Sequence, residues 1–460
     1  MSSTLTTNSF DVIIIGGGPA GATAATILAD AGLKTLILER TQFPRFHIGE
    51  SLMPETYWTF KRIGMLPKLR DSNFVRKYSV QFVTASGKES QPFYFDEMNP
   101  HECSVTWQVV RSEFDKMMLD NAREHGAQVI ENANVTDILL EPTPTDTLPR
   151  ATGVKVDFSS SSFPLAPVLR GEGQGEGSSL QSQIANRKSQ IIHAKIVIDA
   201  TGASALLSRK LNLKRSDPRL KKASIFAQYK GAYRDPDPRD EGATLVLSTK
   251  NQDGWFWYIP LPNDIVSVGV VGDIDRLITS RNSKEQTLEE EIQNCPALIP
   301  RLKDATLIPP VHVLSDFSYS SRRCAGEGWI LVGDAFGFLD PMYSSGVFLA
   351  LKSAEMAADC VIEAFANNDF SAAQLSKWGE PLADGMQSIR KLVYAFYTKD
   401  FSFGRFTREH PHTKKNLVDL LIGNVFRPGI NEIFDPMSKS VPLPGSIPLE
   451  SPATTEHQPT

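Results

Sequence analysis

Short apolar runs, separated by glycine-rich turns and by helical periodicities, set the pattern of this 460-residue chain. Residues 12–15 form one continuous apolar run, an alanine-rich helical stretch follows, and residues 35–38 form a second apolar run. Similar runs recur in "AKIVIDATGAS" and "GWILVGDA". Strands that are apolar on both faces are typical of a parallel sheet covered by helices. The pattern therefore predicts an α/β fold with a Rossmann-like domain built on these strands.

A different pattern separates those apolar strands. The segment "SVQFVTASGKESQPFYF" and the region after residue 216 alternate apolar and polar positions between turn residues, which predicts antiparallel strands. From residue 366 to 436 the periodicity becomes helical. Residues 159–189 are dominated by Ser, Gly and Pro, so we expect a disordered insertion there, and we expect a disordered tail over residues 437–460.

Composition narrows the range of partners. The formal net charge is -5 and hydrophobic residues make up 41%, so we expect a globular protein without a nucleic-acid partner. No apolar run approaches the roughly 18 residues of a membrane span, and "MSSTLTTNSF" lacks the features of a signal peptide. The cysteines form no CxxC pair and no metal-ligand set, and we expect buried thiols in a cytoplasmic protein without a bound metal: Cys103, Cys295, Cys324 and Cys360.

The first apolar strand runs into a glycine motif, Gly16-x-Gly18-x-x-Gly21, and the second ends at Glu39. Between a strand and a helix, Gly16 allows a tight turn and Gly18 admits a pyrophosphate. Gly21 lets the helix approach the strand. The helix start offers free amides to the phosphates, and Glu39 is placed to accept hydrogen bonds from a ribose diol. This combination predicts a dinucleotide site, which both NAD and FAD fit.

Two later turns favour FAD over NAD. Gly333 and Asp334 follow a buried strand, at the position where flavoproteins of this architecture hold the ribityl chain. A third nucleotide-facing turn follows another buried strand and consists of Ala200, Thr201 and Gly202. Three such turns so far apart indicate one long cofactor lying across the domain. Arg111, at the head of a helix, either reaches the adenine side or the pyrophosphate of FAD, or is a surface arginine at a helix start.

These assignments divide the chain into domains. The FAD-binding domain is discontinuous, and the insertion interrupts it. The predicted limits are 9–75, 105–215 and 318–365 for the FAD-binding domain, 76–104 and 216–317 for an antiparallel-sheet substrate domain, and 366–436 for a helical C-terminal region.

Two further motifs carry a resemblance to a known family. The first is Gly-Trp-x-Trp-x-Ile-Pro in "GWFWYIPLP", and the second is Phe-x-x-Pro-x-x-Ser-x-Gly in "FLDPMYSSG". Every fixed position is matched, by Gly254, Trp255, Trp257, Ile259 and Pro260 in the first and by Phe338, Pro341, Ser344 and Gly346 in the second. Over most of residues 9–435 the chain resembles the flavin-dependent halogenases. The resemblance implies an FAD-binding domain of the glutathione-reductase/hydroxylase type, shared with aromatic hydroxylases and geranylgeranyl reductases.

The resemblance implies a halogenase that receives FADH2 from a separate flavin reductase and makes hypohalous acid from O2 and chloride or bromide. Amides of Ser345 and Gly346 would bind the halide at a helix start, although an ordinary helix start with a flavin contact also fits. The bulk of Trp255 and Trp257 would keep the organic substrate off the flavin, although core packing also explains them. Ile259 and Pro260 would line the same tunnel. Further FAD contacts implied by the resemblance are Pro19, Ala20, Arg40, Ser51, Pro341, Gly346 and Val347.

Lys77 is the catalytic residue that the resemblance implies. Halogenases of this type carry a lysine at the start of the first strand of the sheet domain, in a GF-x-x-K-x-G-x-x-F context. Both glycines of that context are replaced here, by Asn73 and Ser79. The pKa of a lysine falls readily on burial, and its neutral amine can hydrogen-bond to or accept electrophilic chlorine. Arg76 is a weaker candidate because its guanidinium keeps its charge.

One departure from the family bears on the substrate. Tryptophan halogenases carry a glutamate, thought to help deprotonate the ring, at the position where this chain has Tyr343. An electron-rich ring needs less help, so we expect a phenolic or pyrrolic substrate, free or tethered to a carrier protein. The alternatives are an FAD-dependent monooxygenase or ene-reductase of the same fold and, outside enzymes, an FAD-binding protein without activity. The sequence leaves open the substrate, the preferred halide, the reductase and the oligomeric state.

Overall fold

The computed structural model describes residues 9–97, 100–158, 189–279, 281 and 283–451 of the chain. The predicted disordered insertion, residues 159–189, lies outside the described residues apart from Ser189, which begins a strand. Among the described helices, none combines the length and the apolar character that a bilayer-crossing segment requires.

The strands of the described residues form two large sheets and two small ones. In chain order they are β1 (Ser9–Ile15), β2 (Thr35–Leu38), β3 (Val75–Lys77), β4 (Ser79–Val83), β5 (Phe93–Tyr94), β6 (Thr106–Gln108), β7 (Gln128–Ile130), β8 (Ala133–Glu141), β9 (Arg150–Phe158), β10 (Ser189–Asp199), β11 (Lys214–Ser216), β12 (Lys222–Lys230), β13 (Thr244–Ser248), β14 (Gly254–Leu261), β15 (Ile265–Asp273), β16 (Thr306–Ser315), β17 (Tyr319–Ser321), β18 (Ala325–Gly326), β19 (Trp329–Leu331) and β20 (Gly337–Phe338).

Helices cover the sheets and form much of the C-terminal part. In chain order the α-helices of the described residues are α1 (Pro19–Asp30), α2 (Thr56–Arg62), α3 (Leu66–Arg70), α4 (Arg111–Glu124), α5 (Leu206–Lys210), α6 (Ile274–Leu277), α7 (Lys284–Gln293), α8 (Ile299–Leu302), α9 (Ser345–Asn367), α10 (Ala372–Leu375), α11 (Gly379–Tyr397), α12 (Phe403–Glu409), α13 (Lys414–Ile422) and α14 (Phe434–Met437). Short 3-10 helices occupy Phe95–Glu97, Glu102–Ser104, Gly202–Ser204, Gly333–Ala335, Pro341–Tyr343, Pro411–Thr413 and Ile430–Ile433.

The first large sheet has the order β18-β19-β10-β1-β2-β7. Its strands from β19 to β7 are parallel to their neighbours, and β8 and β9 extend β10 as an antiparallel meander. Strand β2 is buried along its whole length, and helix α1 packs between the sheet and helices α4 and α9. Burial on both faces explains why these strands are continuously apolar. The predicted α/β fold with a Rossmann-like domain is confirmed.

The second large sheet has the order β16-β12-β15-β14-β13-β4-β5. Its neighbours are antiparallel, except that β4 and β13 are parallel. The predicted antiparallel sheet thus contains one parallel pair, because β4 enters from a distant part of the chain instead of through a hairpin. The alternation pattern also failed to predict α6, α7 and α8, which lie between β15 and β16 along the chain.

The chain after α14 differs from the predicted disordered tail. Val441 and Ile447 are buried. The Gln387 amide donates hydrogen bonds to the carbonyls of Pro444 and Gly445, at 2.9 and 2.8 Å. The prediction of disorder over residues 437–460 is therefore wrong through residue 451, since apolar side chains and satisfied backbone groups fix this segment against α11. The rest of that range lies outside the described residues.

Candidate active site

Three strands bring the predicted nucleotide-binding turns to one edge of the first sheet. Parallel neighbours β1, β10 and β19 pair so that Ile15 lies opposite Asp199 and Asp199 opposite Leu331. The carboxyl ends of the three strands therefore lie at one level. The turns that follow them are residues 16–21, 200–202 and 333–334. In open α/β sheets, ligands bind outside the carboxyl ends of the strands.

At each glycine of the motif, the local packing agrees with the predicted role. Gly16 has φ +105°, and a Cβ there would lie 2.5 Å from the carbonyl oxygen of Ala200. A Cβ on Gly21 would lie 2.0 Å from the carbonyl oxygen of Gly16, so this glycine lets α1 approach β1. At Gly18 the nearest neighbour would be the Arg45 guanidinium at 3.5 Å. That position is open, and a phosphate group would find both backbone amides and a cation there.

Glu39 ends β2 beside the motif and is buried. One carboxylate oxygen accepts a hydrogen bond from the Gly17 amide at 2.8 Å, and the other accepts from the amide and hydroxyl of Thr41. The carboxylate is thus fixed where a ribose diol would meet it. Arg40 is exposed, and its guanidinium donates to the Ser204 hydroxyl at 3.4 Å.

The other two turns are shaped by buried acids and glycines. Asp199 accepts hydrogen bonds from the amides of Thr201 and Leu207, and burial raises the pKa of its carboxyl. Gly333 has φ +59°, and a Cβ there would meet Ala20 at 3.1 Å, so this turn lies against α1. Burial raises the pKa of the adjoining Asp334 carboxyl to about 6, and the charge of Arg111 opposes this shift.

Together these groups fit FAD. The helix-start amides and the open space at Gly18 suit a pyrophosphate, Glu39 suits a ribose diol, and the Asp334 carboxyl suits a chain of hydroxyls. The donors and acceptors lie along one edge of the sheet, as a long dinucleotide requires.

Two predicted FAD contacts have other partners in the structure. Arg111 is buried, and its guanidinium donates two hydrogen bonds to the Asp115 carboxylate, at 2.7 and 3.0 Å. The guanidinium also donates to the carbonyls of Ile48 and Gly49. The surface-arginine alternative is therefore wrong, because the guanidinium joins α4 to the segment before Ser51. Ser51 is buried, and its hydroxyl accepts a hydrogen bond from the Lys77 amine at 2.9 Å. A contact of either residue with FAD stays a prediction.

Lys77 ends β3, and its side chain is 4% exposed. Its amine donates to the hydroxyl of Ser51 at 2.9 Å and to the carbonyl of Leu52 at 3.1 Å. None of the described carboxylates forms an ion pair with this amine. Burial lowers the pKa of Lys77 to about 7, so a large part of the amine is neutral near neutral pH.

A polar network that the sequence did not reveal holds Lys77 in place. The Ser51 hydroxyl contacts the Thr244 hydroxyl at 2.9 Å, and the Gln108 amide donates to Thr244 at 2.8 Å and to the carbonyl of Gly242 at 2.9 Å. These residues come from β6, β13 and the segment before α2. The network thus connects the segment before α2, β6 and the start of β13 to the lysine.

Trp255, Trp257 and Ile259 alternate along β14, so their side chains share one face of the second sheet. All three belong to the main core between the sheets, whereas Phe256 and Tyr258 face a second cluster. The two indole rings lie 6.3 Å apart. A Cβ on Gly269 would lie 2.2 Å from the Trp257 ring, so the neighbouring strand leaves space for this indole.

Both indoles are also hydrogen-bonded. The Trp257 N–H donates to the Ser267 hydroxyl at 3.2 Å, and the Trp255 N–H donates to the Tyr397 hydroxyl at 2.9 Å. Their full burial fits core packing as well as a barrier, and the tunnel role of these residues and of Pro260 stays a prediction.

The second signature forms a tight loop that leads into α9. Asp340 accepts from the Met342 amide at 2.9 Å and so begins the 3-10 helix of residues 341–343. Ser344 has φ +57°, and its side chain does not cap α9. The first amides of α9, which include those of Ser345 and Gly346, therefore lack a side-chain acceptor from the N-cap, as a halide site would need.

Packing also favours a glycine at position 346, because a Cβ there would lie 3.0 Å from the Phe338 ring. Val347 is buried beside it. Tyr343 is buried, its hydroxyl donates to the Leu392 carbonyl at 3.2 Å, and burial keeps the pKa of this phenol well above its usual range. Tyr343 therefore cannot act as a carboxylate would at this position.

Two buried acids near these signatures escaped the sequence analysis. Glu50 accepts from the Gln228 amide at 3.0 Å with one oxygen, while its other oxygen has no partner among the described residues. Burial raises the pKa of Glu50 to about 7, against the effects of Ser267, Gln228 and Arg111. Burial likewise raises the pKa of Asp340 to about 7. Asp340 lies inside the second signature, "FLDPMYSSG", and Glu50 directly precedes the predicted FAD contact Ser51, so the sequence positions were the available signals.

Two family models match the chain. The family model described as tryptophan halogenase matches residues 171–441, and a model described as FAD binding domain matches residues 9–147.

Curated relatives cover nearly the whole chain. A 1H-pyrrole-2-carbonyl-[peptidyl-carrier protein] chlorinase of Pseudomonas fluorescens is 30% identical over 455 residues, which is 94% of this chain and 93% of that protein. A 1H-pyrrole-2-carbonyl-[peptidyl-carrier protein] brominase of Pseudoalteromonas luteoviolacea is 29% identical and covers 91% of this chain and 93% of its own.

Solved structures show the same architecture. The flavin-dependent brominase Bmp2 superposes with a TM-score of 0.77 at 26% identity and covers 94% of this chain and 98% of its own. The myxobacterial chondrochloren halogenase CndH gives a TM-score of 0.74 at 27% identity and covers 94% and 96%. The chain belongs to the tryptophan halogenase family and is a flavin-dependent halogenase.

Proposed function

We propose that the protein uses FADH2 from a separate flavin reductase, O2 and chloride or bromide to make hypohalous acid, and that it halogenates an electron-rich aromatic ring. The observation that carries this proposal is the buried Lys77 amine, whose pKa lies at about 7 and which has hydroxyl and carbonyl partners instead of an ion pair. A permanently charged lysine would suit this chemistry poorly, since electrophilic halogen needs a lone pair on nitrogen.

The substrate is a pyrrole or a phenol, and a pyrrole tethered to a carrier protein is favoured. Two relatives that cover more than nine-tenths of the chain are named for carrier-bound pyrrole-2-carbonyl groups. Because Tyr343 stands where a carboxylate would be and keeps its proton, we expect a substrate ring that loses its proton without help from a carboxylate at that position. The four cysteines are free thiols, which supports action in the reducing cytoplasm.

The residues of the proposed site act in two groups, one that holds FAD and the halide and one that separates the flavin from the organic substrate. Gly16, Gly18, Glu39 and Asp334 would hold FAD, which when reduced supplies the two electrons that let O2 oxidise the halide. The first amides of α9 would bind the halide. Trp255 and Trp257 would exclude the organic ring from the flavin while the small hypohalous acid passes.

Lys77 then positions the hypohalous acid or carries its halogen. In the first case the neutral amine accepts a hydrogen bond from the acid's hydroxyl. In the second, an N–halogen bond forms as the O–halogen bond breaks, and hydroxide leaves as water with one amine proton. The ring then takes the halogen, and its displaced proton restores the amine.

The test supplies the purified protein with FAD, NADH, a flavin reductase, chloride or bromide, and phenols or pyrroles, both free and carrier-bound. We expect halogen isotope patterns in the product by mass spectrometry and little NADPH oxidation without the reductase. Hydroxylated products formed equally with and without halide would contradict the proposal and indicate a monooxygenase.

A further inference from the structure

Two buried side chains, Trp255 and Asp340, and the partly buried Tyr397 form one hydrogen-bonded series, although they come from distant parts of the chain. The Trp255 N–H donates to the Tyr397 hydroxyl at 2.9 Å, and this hydroxyl donates to a carboxylate oxygen of Asp340 at 3.1 Å. The other Asp340 oxygen accepts from the Met342 amide at 2.9 Å. One phenol hydroxyl therefore joins the tryptophan signature on β14 to the loop that leads into α9.

The position of Tyr397 makes this hydroxyl a fixed connection. It is the last residue of α11, and its ring packs edge-on against Phe396, which in turn packs edge-on against Trp255. The Lys222 amine lies 4.2 Å from the centre of the Tyr397 ring. Burial, followed by the charge of Asp340, raises the pKa of Tyr397 well above its usual range, so the phenol remains a hydrogen-bond donor.

Both ends of the series belong to parts of the site that must keep their relative positions. Trp255 has a large planar ring whose orientation decides what passes it, and an indole without a bonded N–H would gain rotational freedom. Residues 338–344 shape the start of α9, where the halide amides are proposed. Tyr343 of the second signature also bonds to α11, through the Leu392 carbonyl, and Phe396 of α11 packs on Trp255. Tyr397 differs from both because its one hydroxyl is hydrogen-bonded to both signatures.

We propose that Tyr397 is a positioning residue, which locks the Trp255 indole to the second signature loop so that halogen formed beside α9 is delivered to Lys77 instead of leaking. This inference rests on the proposed function. A merely structural role for the hydroxyl would affect stability alone and leave the fate of the halogen unchanged.

The test compares Tyr397→Phe with Tyr394→Phe in the full-length holoprotein. Tyr394 is a matched control, because it lies on the same helix and its buried hydroxyl bonds to an acid, Asp217, at 2.7 Å, away from Trp255. The first readout is the exchange rate of the Trp255 indole N–H in ¹⁵N-tryptophan-labelled protein, assigned with Trp255→Phe. We expect at least tenfold faster exchange in Tyr397→Phe and no change in Tyr394→Phe.

The second readout is the amount of halogenated product per O2 consumed. We expect this ratio to fall at least threefold in Tyr397→Phe, with free hypohalous acid or peroxide rising to match, at unchanged FAD affinity. Asp340→Asn, which weakens the acceptor, is expected to shift both readouts in the same direction and provides the test should Tyr397→Phe fold poorly.

The outcomes separate this inference from the proposed function. If Tyr397→Phe leaves the exchange rate of the Trp255 indole N–H unchanged, the positioning role is overturned. It is also overturned if the exchange becomes faster while the amount of halogenated product per O2 stays the same. In both cases, halogenation by the wild type would still support the proposed function. If the wild type halogenates none of the substrates under any halide, the proposed function fails and the positioning role fails with it.

Discussion

Burial moves the pKa values of three ionisable side chains of the site, Lys77, Glu50 and Asp340, to about 7 from opposite directions. The Lys77 amine is lowered to this value, and the Glu50 and Asp340 carboxyls are raised to it. Groups with pKa values near the working pH can exchange protons at little cost in free energy. Buried groups with pKa values shifted in this way are typical of catalytic sites, because ordinary cores avoid buried ionisable groups.

Glu50 gives a prediction about stability. Its pKa is about 7 in the folded protein against 4.5 for the free side chain, so the folded state binds the proton more tightly. The contribution of this proton binding to the stability of the folded protein is complete below pH 4.5 and is lost as the pH rises through 7. Glu50→Gln, which stays neutral, should therefore gain about 2 to 3 kcal/mol in unfolding free energy relative to the wild type between pH 4.5 and pH 8.

Urea unfolding at several pH values measures this difference. The exposed Glu409→Gln serves as the control, with a flat difference expected. A flat difference for Glu50→Gln as well would mean that the Glu50 carboxyl is not held in a low-dielectric environment.

At the scale of elements, the approach of α1 to β1 and of β14 to β15 depends on single glycines. Gly21 lets the first helix reach the strand, and Gly269 leaves space for the Trp257 ring. The first of these contacts places the helix-start amides at the carboxyl edge of the sheet. The second sets the aromatic face of the other sheet against the main core.

Gly21→Ala tests the first contact. The added Cβ would lie 2.0 Å from the Gly16 carbonyl oxygen, and because this oxygen belongs to the backbone it cannot rotate away, so α1 must shift. We expect a loss of about 1 to 3 kcal/mol in stability and at least a tenfold weaker affinity for FAD, measured by flavin fluorescence. Gly404→Ala in α12, where the nearest atom would lie 3.9 Å away, should leave both quantities nearly unchanged.

At the scale of the whole molecule, the sequence was most informative where function depends on local geometry. The glycine turns at the strand ends are set by neighbours within a few residues, and the predicted Rossmann-like domain is confirmed, whereas Lys77 was predicted from the resemblance and its partners Ser51 and Leu52 are about 25 residues away. Pairings between distant segments could not be predicted, such as the bond between Trp255 and Tyr397, 142 residues apart. Likewise, the segment around Val441 has a composition typical of disorder, and its order is explained by buried apolar side chains and by hydrogen bonds from Gln387 on α11.

The central claim also concerns the whole molecule: oxygen activation and halogen delivery occur at different places in one protein. Flavin chemistry is assigned to the edge of the first sheet, and delivery is assigned to Lys77 in its network with Ser51 and Thr244. Removing the amine should therefore uncouple the two halves without stopping the first.

The most direct test measures O2 consumption and halogenated product together for the wild type and Lys77→Ala, both supplied with FADH2 and halide. We predict that Lys77→Ala consumes O2 within a factor of about two of the wild type while its product falls at least a hundredfold, on the order of 3 kcal/mol in activation free energy. Lys77→Arg should be nearly as inactive, because a guanidinium keeps its charge, and the exposed Lys88→Ala should match the wild type. Retention of most of the halogenated product by Lys77→Ala would contradict the account and assign the delivery of halogen to another residue.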